Sequence, residues 1–152
     1  MQSKNPMFRG GNTQNVVTLE ELAHKHWPRP KGTVMHTGVA LDTETTGTGP
    51  KDVVIEIGLI EYEVYTCGAV VRVGTPYTAL QDPGFPIPAE STRVHGITDE
   101  MVVGKSIDWN HVAGIIDHAG FVVAWNAEFD YRMVPRSVHE KASRAVWGCA
   151  MR

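Results

Sequence analysis

Three features of the sequence predict an α/β fold: a mixed five-stranded sheet of three antiparallel meander strands followed by α-β-α-β. Apolar, β-branched segments at 34–42, 53–64 and 69–74 are separated by intervals too short for a crossover helix, which fits an antiparallel meander. Beyond residue 105, helical patterns alternate with short apolar runs, giving the order βββαβαβ with helices packed on the sheet. The 152 residues, 42% apolar and 20% charged, suffice for one globular domain with its own core.

Residues 1–32 read as an N-terminal tail. Within it, 18–27 is a short helix candidate: Thr18 and Glu21 have capping-box spacing, and Leu19 and Leu22 share a face. The connector PRPKG ends it, and the folded domain is expected over 33–152. The first strand ends in the buried run Val39-Ala40-Leu41. The second, VVIEIGLIEYEV, alternates apolar and polar residues toward its end, and AVVRVG supplies the third. The Pro-rich stretch that follows is expected to hold two helical turns, near 89–95 and 98–102. Residues 106–120 read as a helix with Ser106 as candidate N-cap and Gly120 at its end. FVVAW, 121–125, is a buried strand. Asn126 is a candidate cap for a helix to about Val134, with Phe129 and Met133 at i, i+4. Pro135 interrupts, a second helical piece runs through RSVHEKASRA, and 146–151 starts one more strand. His111, His118 and His139 read as surface residues of these helices.

The bulk numbers exclude several function classes. A net charge of −3 argues against holding nucleic acid by a strongly basic surface alone. It is compatible with an acidic site neutralised by bound cations. Two cysteines without a CxxC or a Cys/His cluster make neither a disulfide framework nor a structural zinc site, and they fit a reducing, cytoplasmic setting. No apolar run approaches a membrane span, and the first 15 residues lack the apolar core of a signal peptide.

The chemistry concentrates at the end of the first strand, in LDTETTG. Residues i and i+2 of a strand point to one face, so Asp42 and Glu44 aim at one point. Two neighbouring carboxylates repel unless one is protonated or a cation sits between them. Oxygen-only ligation suits Mg²⁺ or Mn²⁺ rather than zinc. Thr45, Thr46 and Gly47 would turn the chain away and offer N–H groups and hydroxyls to an anion. A solvated turn explains an isolated DxE equally well; the whole heptapeptide after a buried strand is far less common by chance. Asp130 lies in the first turn of a helix that follows a buried strand. Taken alone, a favourable helix-dipole contact explains it better than metal ligation.

LDTETTG (41–47), IEIG (55–58), HGIT (95–98) and NAEFD (126–130) occur in that order, and together they resemble the DEDD-type, DnaQ-like 3′–5′ exonuclease superfamily. The resemblance spans about residues 34–151. It implies a ribonuclease H-like fold with two divalent cations, Mg²⁺ or Mn²⁺, held by carboxylates at one end of the sheet. It also implies hydrolysis of terminal phosphodiesters of a single-stranded 3′ end of DNA or RNA to nucleoside monophosphates. Asp42 and Glu44 match the first motif and Asp130 the second, as metal ligands and catalytic acids. Thr45 and Thr46, by similarity, border the pocket for the terminal nucleotide. His95 is similar to a loop residue near the substrate strand; a loop histidine bonded to backbone is the equal alternative. Phe129 reads as a core side chain ahead of a base-stacking platform. Glu56, in IEIG, is assigned no chemistry. A DNA polymerase subunit is a candidate partner.

The resemblance further implies a third motif, a His or Tyr base and a fourth Asp on a final helix. No aspartate follows Asp130 and no acidic residue follows Glu140. The domain is therefore expected to be incomplete at its C-terminal side, with apolar sheet surface uncovered and exonuclease activity severely reduced in residues 1–152. A degenerate, non-catalytic module that docks nucleic acid or a polymerase is the alternative.

Overall fold

The computed structural model describes residues 31–151, and the helix expected over 18–27 lies outside them. The two longest strands form an antiparallel pair, β1 (Met35–Thr45) and β2 (Val54–Tyr65), registered from Met35 opposite Tyr65 to Thr45 opposite Val54. The outer edge of β2 carries two short strands in succession. β3 (Val70–Val73) pairs with the far half and β4 (Tyr77–Leu80) with the near half. The sheet therefore has six strands, not five. Pro76 interrupts the edge, and the chain resumes pairing at once along the same partner.

Two helical turns follow, α1 (Ala89–His95) and α2 (Asp99–Val102), and then α3 (Trp109–Ala119). β5 (Phe121–Ala124) returns parallel to β1, and α4 (Ala127–Met133), α5 (Arg136–Lys141) and β6 (Val146–Cys149) complete the chain, with β6 parallel to β5. The main sheet order is β3-β2-β1-β5-β6, a mixed sheet as the sequence predicts.

One face of the sheet buries the core. Val39 and Leu41 of β1, Ile57 and Leu59 of β2 and Val122 of β5 pack against Val112, Ala113 and Ile116 of α3 and Val138 of α5. A second cluster, Ile55, Ile87, Ile97 and Val102 with Leu80, pins the Pro-rich loop and the two short helices to the start of β2. The alternate residues of β1 and β2 face the other way. There Ala40, Asp42, Gly58, Ile60 and Thr78 line part of a cleft of about 270 Å³. Farther down this face, the rings of Tyr62 and Phe121 meet edge to face over Gly38, 5.8 Å apart. A Cβ at Gly38 would sit 2.3 Å from the Phe121 ring. Among the described residues no helix is long and apolar enough to cross a membrane.

Three local expectations need correction. Asp108, not Ser106, caps α3: its carboxylate accepts from the amides of Asn110 (2.9 Å) and His111 (3.0 Å). Ser106 lies too far upstream to reach those donors. Asn126 occupies the N-cap position of α4 but makes no side-chain capping bond. His139 is not a plain surface residue: its ring stacks on Tyr131 at 4.0 Å and meets Trp147, and Nε2 lies 2.9 Å from the Tyr131 carbonyl.

The corrected cap can be tested directly. Asp108→Ala is expected to cost about 1 kcal/mol in urea unfolding, whereas Ser106→Ala should stay within about 0.5 kcal/mol of the parent.

Candidate active site

The site forms where β1 parts from β5. Their pairing covers only Gly38–Ala40 against Phe121–Val123. Beyond Ala40 the edge of β1 opens, and α4, which begins three residues after β5, settles beside it. Asp130, on the first turns of α4, is thereby carried to the strand segment that bears Asp42 and Glu44.

Alternation along the strand sorts the three side chains of the tripeptide. Asp42 is exposed, Glu44 half-buried, and Thr43 between them buried at 7% exposure. Asp42 lies opposite Gly58, where a Cβ would find open space, and Glu44 lies opposite Glu56. Asp130 is only 3% exposed. The Thr43 hydroxyl donates to its Oδ1 at 2.8 Å, a buried bond between residues 87 apart in sequence.

The electrostatics show that these acids feel one another. Burial raises the pKa of Glu44 above its ordinary value; Asp42, Glu56 and Asp130 push it further up, and nearby His95 opposes them. Burial likewise raises Asp130, opposed by the Thr43 hydrogen bond and reinforced by Asp42. Among the described residues, none of these four carboxylates has a lysine or arginine partner. Nor do three His, Cys, Asp or Glu side chains there form a ready-made cation cage. Asp42 and Asp130 act on Glu44, and Asp42 on Asp130, without a closed coordination shell among the described residues. An unneutralised, oxygen-only donor set of this kind fits a hard divalent cation.

Thr45 and Thr46 spend their hydroxyls inside the turn. Thr45 donates to the Gly47 carbonyl at 2.7 Å. Thr46, 1% exposed, donates to Asp52 Oδ1 at 2.9 Å and accepts from the Val53 amide at 3.1 Å. Asp52 Oδ2 accepts from the Gly49 amide at 2.7 Å, and Ser91 ties the Thr46 carbonyl to α1. Gly47 is required because a Cβ there would lie 2.6 Å from Asp52 Oδ2. The turn thus offers backbone, not threonine hydroxyls, to its surroundings.

His95, the last residue of α1, is bonded to backbone. Its Nδ1 accepts from the Ile97 amide at 3.0 Å, while Nε2 is buried without a partner and the ring influences Glu44. Phe129 is not a core side chain. It is half-buried and lines a cleft of about 400 Å³ with Asn126, Glu128, Tyr131 and Arg132. The Arg132 guanidinium lies 5.6 Å from the Phe129 ring centre, and Arg132 also donates to the Thr48 carbonyl at 3.1 Å. Met133, its i+4 companion, does pack on the core.

Sequence reasoning missed Glu56, Asp52, Thr43 and Arg132. Glu56 stands in the IEIG motif, and only strand pairing places it opposite Glu44. Asp52 did have a signal, since an Asp just after a Gly-rich turn commonly bonds back to turn amides.

The raised pKa of Glu44 fixes a sign. Its contribution to stability is fully present below the unfolded-state pKa and is lost as pH rises through the higher folded value. In EDTA at neutral pH, Glu44→Gln is therefore expected to melt about 1–4 °C above the parent. Millimolar Mg²⁺ or Mn²⁺ should raise the melting temperature of the parent more than that of the variant.

Comparison with known proteins agrees with this geometry. The RNase T-type exonuclease family model matches residues 39–142. The chain is 37% identical over 100 residues to the uncharacterized exonuclease CP81 of Escherichia phage 186, covering 63% of this chain and 46% of that protein. It is 44% identical over 110 residues to a DNA polymerase III subunit epsilon-like protein of Rhodobacter capsulatus, covering 66% of this chain and 14% of that protein. The match thus spans less than half the length of either relative. Among solved structures, Exonuclease X in complex with 5′ overhanging duplex DNA superposes with a TM-score of 0.52 at 27% identity, over 75% of this chain and 60% of that one. E. coli Exonuclease I shares the fold, with a TM-score of 0.54 at 17% identity over 75% of this chain and 28% of that one. The paired acids at the end of β1, the acid on α4 that reaches them and the family match over 39–142 lead to one conclusion: this chain belongs to the DnaQ-like exonuclease family and has its ribonuclease H-like fold.

Proposed function

We propose that the chain is a metal-dependent 3′–5′ exonuclease domain that releases nucleoside monophosphates from single-stranded ends. One observation carries this reading. Among the described residues Asp42, Glu44 and Asp130 have no lysine or arginine partner, Asp42 and Asp130 raise the pKa of Glu44 against His95, and Asp42 raises that of Asp130. A fold gains nothing from that arrangement unless cations complete it. The polymerase name of one relative and the DNA-bound state of Exonuclease X favour DNA over RNA, and a DNA polymerase as a working partner.

Asp42, Glu44 and Asp130 would hold two divalent cations, Mg²⁺ or Mn²⁺. Bound there, the cations supply a water nucleophile and charge stabilisation at the departing 3′-oxygen. The remaining steps belong to the chain. The turn braced by Asp52 borders the terminal nucleotide with the backbone of Thr45, Thr46 and Gly47. Phe129, steadied by Arg132, offers an aromatic face for a base, a contact worth about 1–3 kcal/mol in single-strand binding. His95 accepts the Ile97 amide at Nδ1, leaves a buried Nε2 without a partner, and lowers the charge cost at Glu44.

No aspartate follows Asp130 in residues 1–152, and His139 is held in an aromatic cluster, so hydrolysis by these residues alone is expected to be slow. The test therefore places protein in excess over a 3′-labelled oligonucleotide. Mn²⁺-dependent release of labelled mononucleotide is expected, and Asp42→Ala should lower it at least about 100-fold, a loss of about 2.7 kcal/mol of transition-state stabilisation. The absence of a ready-made cation cage favours a second reading, a non-catalytic module on the same fold. Single-strand binding that survives Asp42→Ala, without Mn²⁺ binding by the parent, would establish that module instead.

A further inference from the structure

We propose that Thr43 is the positioning residue that couples the two acidic motifs, orienting Asp130 for the cation that Asp42 and Glu44 share. This rests on the metal-dependent reading above. The tripeptide Asp42-Thr43-Glu44 uses both faces of one strand. Its outer residues point away from the core, and its middle residue points inward and is buried. Asp130 reaches the opened edge of β1 from α4, and its Oδ1 receives the Thr43 hydroxyl at 2.8 Å. Backbone N–H groups of Thr43 and Asp130 also hydrogen-bond this carboxylate, and the hydroxyl adds a directed bond at Oδ1 that a valine would remove while leaving the backbone bonds in place.

The alternative is purely structural: a buried carboxylate is satisfied by the nearest hydroxyl. The two roles separate because a structural bond governs folding, whereas a positioning bond governs cation affinity. Partners that orient a ligand typically change metal affinity 10–100-fold when removed. Threonine to valine removes the hydroxyl and keeps the shape. Threonine to serine keeps the hydroxyl.

Mn²⁺ binding by the full 152-residue chain, followed by electron paramagnetic resonance of the free ion, decides the matter. Melting of the cation-free proteins serves as the folding control. Thr43→Val is expected to remain folded and to bind Mn²⁺ about tenfold more weakly. Thr43→Ser should bind within about threefold of the parent. A folded Thr43→Val with parental affinity overturns the positioning role and leaves the exonuclease reading intact. Equal weakening in Val and Ser variants also overturns it. A parent chain that binds no Mn²⁺ overturns both.

Discussion

The structure turns on a repulsion. Near the end of β1 Asp42 and Asp130 disfavour the ionised form of Glu44, Asp42 does the same to Asp130, and Glu56 across the strand pair adds to the pressure on Glu44. Like charges directly opposite on a sheet are destabilising. The surroundings hold the acids in place despite this. Val39 and Leu41 anchor β1 in the core immediately before Asp42. The Asp52 carboxylate locks the turn just after Glu44 by accepting from Thr46 and Gly49, and the Val53 amide donates to Thr46. Thr43 retains Asp130. A strand fixed at both ends cannot relax its charges apart.

The same constraint explains the shape of the sheet. Had β5 stayed paired with β1 to its end, the backbone edge at Thr43 would be occupied and α4 could not bring Asp130 there. The short pairing, three residues long, is what opens the place. The unusually long β1–β2 pair compensates, since it carries the strand well beyond the last contact with β5. β4, seated on the near half of β2, and the Ile55–Ile87–Ile97–Val102 cluster then stiffen that projecting end from the opposite side.

Much of this was legible in the sequence because it follows from period and composition. The strands at 34–42 and 53–64, the turns near 89–95 and 98–102 and the helix ending at Gly120 follow from β-branched runs, Pro-rich punctuation and a glycine that takes φ 80°. The acids Asp42, Glu44 and Asp130 stand in motifs that are read together. What escaped depends on contacts far apart in sequence. β4 is four residues long beside a proline and exists only because β2 has a free edge. Phe129 shares helical spacing with Met133, yet the short α4 tilts only Met133 into the core. Ser106 and Asp108 are both good caps, and the choice between them depends on where Ile107, 4% exposed, enters the core. Glu56 and Thr43 acquire meaning only through their partners across the sheet and on α4.

The charge balance then orders events on the proposed reading. With 17 acidic against 14 basic side chains, the chain has no surplus positive charge with which to draw in a polyanion. At the site itself the imbalance is sharper: among the described residues His95 opposes the charge only at Glu44, and Arg132 is engaged with Phe129 and Thr48. A phosphate approaching the cation-free site meets repulsion and weak compensation. Cations therefore have to occupy the acids before a strand end can enter, or arrive with it. Linkage makes the dependence mutual: whatever cations add to strand affinity, the strand must add to cation affinity by the same factor. The open, uncaged arrangement of the acids is then no defect. A preformed cage would bind cations tightly without nucleic acid, whereas carboxylates held near one another without enclosing a cation leave part of the closing energy to the phosphate and so make full metal occupancy conditional on substrate.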